Sequence, residues 1–369
     1  MSLPRRRRLQ SSRGAQRRRD LVAVLLLAAA CKGPSAGPPE AHLALPADTL
    51  EAEWAELPVA AAVGSGRWVV VAADWDAAVI ADFGNKSLAP LGGAKQQAYL
   101  HPFMAFTSGD SIYLADWGKR RTTVWTFQGK LADSLPVADA LRGAFVRARD
   151  AAGQLYFQVD PAPKRDGSGN QDSIAIVRAP RSLARFDTLA RLSPRELAQV
   201  SRENATRYEQ RIFGGNDLWG VWPDGTVWIA RRFRNQIVSV DVRGKLSKGP
   251  ELPDPVYEVT EADRQRYLQG YPAEARPKET DLVWASILPP FTAAFAAPNG
   301  TVWLEKSKPA LDSVRRIQVV DRSGKLQRVL LLHGQARLLA VGADKLLLAE
   351  QFAKGVRLME VRIPAAGLR

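Results

Sequence analysis

Two Asp-Trp pairs are the residue pairs best suited to contact a ligand. Asp74-Trp75 and Asp116-Trp117 each follow a short predicted β-strand. An indole ring beside a carboxylate can stack on a sugar or a heterocycle and also hydrogen-bond it. The alternative is that each aspartate caps its loop while each tryptophan packs between neighbouring units. These four residues are the first candidates for a binding site.

Two arginines and two phenylalanines are further candidates. Arg231 stands at the position that matches Asp116 in a later repeat, and together with Arg232 it can hold a carboxylate or a phosphate. The alternative for this pair is a solvated basic loop. Phe103 and Phe291 lie near the starts of predicted inner strands, where they either line a channel or pack into the core. Core packing is the preferred interpretation of both.

The usual arrangements for catalysis are scarce in this sequence. The three histidines, His42, His101 and His333, share no metal-ligand spacing. The one Gly-x-Ser-x-Gly match, at residues 33–37, has no strand before it and no helix after it, so it cannot form a nucleophile elbow. The sequence therefore favours a non-catalytic protein and predicts no catalytic residue, no metal and no cofactor.

The N-terminus has the pattern of an export signal that ends at the single cysteine. Eight arginines within residues 5–19 precede the apolar run Leu21–Ala30, and Cys31 follows directly. Ten apolar residues rise only about 15 Å as a helix, half of the roughly 30 Å hydrocarbon core, so the run is too short for a permanent span. An ordinary secretory signal with a chance cysteine remains the alternative.

The residues Ala28-Ala29-Ala30-Cys31 resemble a bacterial lipobox. The resemblance implies that residues 1–30 are removed and that Cys31 receives a lipid, which anchors the chain to a membrane. The expected location is the cell envelope, either facing the periplasm or at the outer membrane or cell surface. Because Cys31 is the only cysteine, no disulfide framework and no thiolate metal cluster can form.

The charge balance argues against nucleic acid as a partner. The whole chain has 52 basic and 38 acidic residues, and without residues 1–30 it keeps 44 and 37. This smaller excess is not concentrated in the Lys/Arg stripe that is typical of nucleic-acid binders. The expected partners are the membrane, through the lipid, and a protein, peptide or glycan. The chain is expected to be a monomer.

After a flexible tether at residues 31–41, the chain repeats one unit six times. Six similar strands are centred on Val71, Tyr113, Tyr156, Trp228, Trp303 and Leu347, with spacings of 42, 43, 72, 75 and 44 residues. Three intervals near 43 residues match the length of a propeller blade, and two longer ones indicate insertions. Asp-Gly and Asn-Gly turns separate four short strands in each unit. The pattern predicts an all-β, six-bladed β-propeller over residues 42–364.

The sixth repeat ends after its third strand at the C-terminus. Blades bury their edges by packing radially around a channel, so a missing outer strand must come from elsewhere in the chain. We expect His42–Pro46 to supply it and so to join the two ends of the chain. About ten residues would then separate Cys31 from the ring.

Several sequence segments resemble the repeats of the six-bladed propeller superfamily that includes NHL-repeat, TolB-like and gluconolactonase-like proteins. They are Asp224–Ala230, Leu114–Gly118 and Val240–Lys245, and the resemblance covers roughly residues 42–364. Gluconolactonase-like members bind a divalent metal such as calcium at the channel mouth. The resemblance thus implies one alternative function, a metal-dependent hydrolase or lactonase, with Asp74, Asp116 and Glu350 as its candidate carboxylates.

The insertions all project from one face of the predicted propeller. Residues 188–212 and 254–289 are crossovers between blades, and the capping-box patterns that start at Ser193 and Thr260 predict a short helix in each. Loops on a rigid scaffold are common binding sites. The leading hypothesis is therefore a non-catalytic binding module with a lidded channel face, and the alternative is that the helices only brace the blades.

Overall fold

The computed structural model describes residues 38–46, 48–64, 66–93, 98–162, 173–202 and 205–364. Cys31, the predicted signal peptide and most of the predicted tether lie outside the described residues. Within these ranges, no helix is both long and apolar enough to cross a bilayer.

Six antiparallel sheets follow one another along the chain and confirm the predicted six-bladed β-propeller. We number them blades 1 to 6. The strands of blades 1 to 3 are, in order, Val59–Ala62, Arg67–Ala72, Ala77–Asp82 and Ser87–Pro90; Pro102–Ser108, Ser111–Asp116, Arg121–Thr126 and Leu131–Pro136; and Val146–Arg149, Leu155–Val159, Ala175–Ala179 and Asp187–Arg191.

Blades 4 and 5 have four consecutive strands each, and blade 6 has three. These strands are Leu218–Val221, Val227–Arg231, Gln236–Val240 and Leu246–Glu251; Phe291–Ala296, Val302–Lys306, Val314–Val320 and Leu326–His333; and Arg337–Val341, Lys345–Phe352 and Gly355–Arg362. Their order in each sheet follows the chain, as hairpin connections require.

The buried side chains form six clusters, one between each pair of neighbouring blades. The second strands explain this arrangement, because side chains alternate between the two faces of a strand. In blade 1, Trp68 and Val70 pack toward blade 6, whereas Val69 and Val71 pack toward blade 2. A strand that is buried on both faces needs the continuous apolar sequence that marked the repeats.

The turns between first and second strands and between third and fourth strands are tight. Gly225 and Gly300 have φ values of 84° and 85°, a conformation that glycine adopts without steric cost. We call the side that carries these turns the tight-turn face. The opposite side carries the turns between second and third strands and the crossovers between blades, and we call it the insertion-bearing face.

The ring closes through an N-terminal strand, but not through the predicted segment. Thr49–Ala52 pairs antiparallel with Gly355–Arg362 and completes blade 6. The segment predicted for this role, His42–Pro46, is not that strand; instead Glu40–His42 pairs parallel with Leu326–His333, as a fifth strand on blade 5. Leu43 then enters the core between blades 5 and 6. The N-terminal segment therefore contacts two blades in turn.

The crossover at 254–289 contains the predicted helix, Glu261–Gln269. Thr260 and Asp263 form a reciprocal capping box at its N-terminus, and Gly270 is its C-cap. Two single 3₁₀ turns follow at Ala273–Ala275 and Glu279–Asp281. Local capping residues were sufficient to predict this helix.

The prediction of a helix within 188–212 is wrong, because two antiparallel strands of this crossover form a β-hairpin. Its strands are Leu197–Arg202 and Ala205–Gln210. The predicted N-cap, Ser193, donates both its backbone N–H and its hydroxyl to the carboxylate of Asp217, at 2.8 and 3.0 Å. That tertiary contact takes the place of the predicted cap, so of the two long crossovers one carries a helix and the other carries a hairpin.

Candidate functional site

Four blades have a β-bulge in the first strand, near the insertion-bearing face. The pairing with the second strand skips one residue in each case, and the skipped residues are Phe103, Arg147, Thr292 and Leu339. A bulge turns its extra side chain away from the regular alternation. Arg147 and Thr292 are exposed as a result, although Val146 and Phe291 beside them are buried.

Asp74 and Asp116 hold the ends of their loops. Asp116 is fully buried, and its carboxylate accepts hydrogen bonds from the backbone N–H groups of Leu100, His101, Gly118 and Lys119 at 2.8 to 3.3 Å. Asp74 accepts from Ala55 and Glu56 at 2.8 and 3.1 Å. Both aspartates thus fasten the crossover before their blade, as the loop-capping interpretation describes.

The two tryptophans that follow these aspartates remain open to solvent. Trp75 is 51% exposed and Trp117 is 59% exposed. The Trp117 ring meets Phe145 edge-on, with centroids 4.8 Å apart, and Phe103 at 5.6 Å. Two phenylalanines therefore support an indole that keeps a free surface, which suits an apolar or ring-shaped ligand group.

Arg147 offers a positive charge beside this aromatic group. Its Nη1 lies 3.1 Å from the thioether sulfur of Met104, the residue after Phe103. Among the described residues Arg147 forms no ion pair, because the nearby Asp160 bonds to Arg195 at 2.6 Å. A thioether is a weak acceptor, so most of the guanidinium donors remain for a ligand.

Arg231 and Arg232 are tied to the protein. Arg231 Nη1 bonds to the Asp217 carboxylate at 2.7 Å, and the backbone N–H of Arg232 donates to the same carboxylate at 2.9 Å. The Arg232 side chain is buried, donates to the carbonyl of Gly215 and stacks on Phe233 at 3.9 Å. Neither guanidinium is free, and the ligand-binding role of the pair stays a prediction. Sequence reasoning missed Asp217, which organises this loop.

Blade 5 contains a buried acid that sequence reasoning also missed. Glu305 is fully buried, and its Oε1 accepts from Thr292, Arg315 and Arg337 at 2.8, 3.1 and 2.5 Å. Its Oε2 accepts from the backbone N–H of Leu338 at 2.7 Å. Two arginines around one carboxylate neutralise it and link blade 5 to blade 6. The arrangement is that of an inter-blade connection, not of a free acid or base.

A lysine beside Glu305 is buried next to polar groups of blade 4. Lys306 is 3% exposed and donates to Asn235 Oδ1 at 2.7 Å. Desolvation lowers its pKa to about 8, against the opposing effect of Asp254. Phe291, the other phenylalanine singled out in the sequence, is buried with its ring 5.1 Å from the ammonium group. Phe291 belongs to the buried cluster between blades 4 and 5, which agrees with the core interpretation.

The exposed large apolar side chains concentrate on the insertion-bearing face. Four of them stand in turns between second and third strands, in blades 1, 2, 4 and 5, and two more stand in crossovers. They are Trp75, Trp117, Phe233 and Leu311, with Leu100 and Tyr271. On the tight-turn face, the exposed large apolar side chains are Val242 and Leu246, which belong to the same turn. Clusters of this kind mark binding surfaces.

The three carboxylates considered for a metal are occupied by the protein itself. Asp74 and Asp116 accept backbone N–H groups, and Glu350 pairs with Arg357 at 2.9 Å. Within the ranges described above, no group of three or more His, Cys, Asp or Glu side chains is placed to hold a metal ion. These contacts do not favour the lactonase alternative.

A shallow cavity of about 450 Å³ lies away from these residues, between blades 1 and 2 on the tight-turn face. Arg67, Asp82, Phe127 and Lys130 contribute to its wall. None of the candidate residues contributes to this wall. We therefore place the candidate site on the insertion-bearing face.

The comparisons with known proteins concern the fold. No protein-family model matches the chain, and no curated protein sequence does. Regucalcin, a calcium-binding protein from Agrobacterium tumefaciens, is 10% identical, with a TM-score of 0.43 over 88% of this chain and 97% of that one. A gluconolactonase from Xanthomonas campestris is 13% identical, with a TM-score of 0.39 over 88% and 94%.

A member of the DUF4221 family from Bacteroides vulgatus is 10% identical, with a TM-score of 0.45 over 88% of this chain and 96% of that one. The predicted resemblance to six-bladed propellers is confirmed at the level of architecture, where the strand order of this chain establishes it. At such identities no activity is carried over.

Proposed function

We propose that the protein is an exported, lipid-anchored binding module that holds a protein, peptide or glycan on its insertion-bearing face. The lipid on Cys31 would keep the propeller at a membrane surface. The ligand would contact the exposed rim formed by Trp75, Trp117, Phe233 and Leu311, which we call the apolar rim. No bond is made or broken in the bound ligand.

One observation carries this proposal: the apolar rim repeats at the same turn of four blades. Exposing a large apolar side chain to water is unfavourable, and a folded protein gains nothing from doing so four times around one opening. A binding partner that covers the rim removes this surface from water. Aromatic residues supported by neighbours, as Trp117 is by Phe145, are typical anchors of such contacts.

The two insertions support the same face as one unit. Ile212 pairs with Trp284, and the Ile212 N–H donates to the carbonyl of Val283 at 2.7 Å. The ring of Phe213 lies 5.7 Å from Tyr267 of the helix and 5.8 Å from Trp284. Because the hairpin crossover and the helix crossover pack on each other, they form a fixed wall beside the apolar rim and lower the cost of ordering on binding.

The experiment compares two double variants of the anchored protein in pull-downs from envelope extract and on a glycan array. The rim variant carries Trp75→Ser and Trp117→Ser. The matched control carries Val242→Ser and Leu246→Ser, which remove exposed apolar groups on the tight-turn face. We expect the control to keep every ligand of the wild type and the rim variant to lose binding by about tenfold or more. A rim variant that is folded and keeps all ligands would disprove the proposal.

A further inference from the structure

Two histidines that are 291 positions apart in the chain meet at the outer edge of blade 5. His42 ends the parallel fifth strand, and His333 ends the strand on which it docks. His42 Nδ1 lies 3.1 Å from His333 Nε2, and the ring planes differ by only 12°. The ring centroids are 5.2 Å apart, which is nearly the N···N distance plus the radii of both rings. The two nitrogens therefore lie close to the line that joins the centroids. The rings therefore meet edge to edge through one N–H···N hydrogen bond.

This arrangement places two imidazole nitrogens at the spacing of two metal ligands. Zinc binds histidine nitrogen at about 2.0–2.1 Å in tetrahedral geometry, so two nitrogens on one ion lie about 3.3 Å apart. When the donor ring carries its proton on its other nitrogen, the lone pairs of both rings face each other at almost this separation. Both side chains are exposed, so the rings can tilt until the lone pairs converge.

The surroundings allow a cation at this point. Glu40 lies two residues from His42 on the same strand, and its exposed carboxylate adds a negative charge. Arg316 lies near the histidines, because it pairs with Leu331, the residue that also pairs with His42. Its positive charge is compensated by an ion pair with Asp312 at 3.1 Å. Imidazole nitrogen suits Zn²⁺, Cu²⁺ and Ni²⁺, and water can complete the coordination of an exposed site.

We propose that His42 and His333 form a surface site for a divalent transition-metal ion such as Zn²⁺, and that the ion fastens the N-terminal strand to blade 5. Binding requires the donor ring to carry its proton on its other nitrogen, so both rings stay neutral while two N–metal bonds replace the N–H···N hydrogen bond. No other histidine takes part, because His101 bonds to Asp76 at 2.6 Å in blades 1 and 2.

The metal ion would strengthen the attachment of a docked strand that is short. Only Glu40, Ala41 and His42 pair with blade 5, and the flanking hydrogen bonds are Val329 N–H to Pro39 O at 3.0 Å and Leu43 N–H to Leu331 O at 2.9 Å. A ligand that binds only the docked state stabilises that state by mass action. The metal would therefore raise the fraction of molecules in which Glu40–His42 is docked on blade 5.

Isothermal titration of the full chain with Zn²⁺ alone tests the site. We expect one ion per chain in the wild type, and a loss of affinity of roughly tenfold or more in both His42→Ala and His333→Ala. The matched control, His101→Ala, should bind Zn²⁺ like the wild type. Absence of Zn²⁺ binding in the wild type, or unchanged affinity in the His42→Ala/His333→Ala variant, would overturn the site.

Hydrogen exchange tests the fastening separately. Zn²⁺ should slow exchange at the amides of Val329 and Leu43 in the wild type, and should leave it unchanged in His42→Ala. Because both rings are exposed, these variants should fold, which circular dichroism can verify. If Zn²⁺ binds without slowing these two amides, the ion does not hold the strand and this half of the proposal fails.

Discussion

The Asp116 carboxylate lies 2.9 Å from the backbone nitrogen of His101, and this contact ties the end of the second strand of blade 2 to the crossover from blade 1. The same carboxylate accepts three more backbone N–H groups. A single buried side chain thus accepts hydrogen bonds from four backbone donors in two loop segments. The adjacent Trp117 owes its position on the apolar rim to this fixed loop.

Replacing Asp116 should therefore destabilise the protein and not only alter binding. A hydrogen bond to a charged group contributes about 1.5–3 kcal/mol, so Asp116→Ala, which removes the acceptor of four such bonds, should lose about 3 kcal/mol of unfolding free energy. Asp116→Asn keeps one acceptor oxygen and should lose less. Urea denaturation measures both, with Asp110→Ala, in an exposed tight turn of the same blade, as the control. Equal stability of Asp116→Ala and Asp110→Ala would contradict the structural role.

The example of Asp116 shows where sequence reasoning was sufficient and where it was not. The turn residues and the apolar second strands are local signals, so the six blades and their second strands could be predicted. The helix at Glu261–Gln269 was also predictable, because Thr260 and Asp263 cap it within one turn. Features decided by residues close in sequence were accessible without a structure.

Long-range contacts decided the remaining features. Ser193 begins a sequence that is typical of a helix N-terminus. However, its backbone N–H and its hydroxyl donate to Asp217, which is 24 residues away, and the segment that follows forms a hairpin. Two short segments before blade 1 could each complete blade 6, and only pairing with Gly355–Arg362 selects Thr49–Ala52. The bulge at Arg147 and the contact of His42 with His333 have no signal in local sequence.

The buried Lys306 should give the protein a distinctive dependence of stability on pH. Desolvation lowers its folded-state pKa to about 8, whereas the unfolded lysine keeps the ordinary value of 10.5. Between these two pKa values the unfolded chain binds more protons than the folded chain, so the unfolding free energy rises with pH. This gain is lost again as the pH falls through about 8. From pH 8 to 9.5 the gain should be about 1–2 kcal/mol.

Urea denaturation of the wild type and Lys306→Met at pH 7.5, 8, 8.5, 9 and 9.5 measures this effect. The wild type should show the larger rise, because desolvation also lowers the pKa of Lys308, which both proteins keep. The window stops below pH 10 because burial raises the pKa of Tyr99 and because the pKa of Tyr267 is raised to about 12, and these shifts act in the opposite direction. Parallel curves for the two proteins would show that Lys306 is not desolvated.

Cys31 should carry the lipid that holds the protein at its membrane. Because it is the only cysteine, any lipid-linked thiol in the purified protein is this one. Mass spectrometry of the mature N-terminus should show a chain that begins at a diacylglyceryl-modified Cys31, and Cys31→Ser should move the protein from the membrane fraction to the soluble fraction. Ser35→Ala, in the same predicted tether, is the control and should remain membrane-bound. A mature chain that starts elsewhere, or a free thiol at Cys31, would refute lipid anchoring while leaving the apolar rim and its ligand to be tested independently.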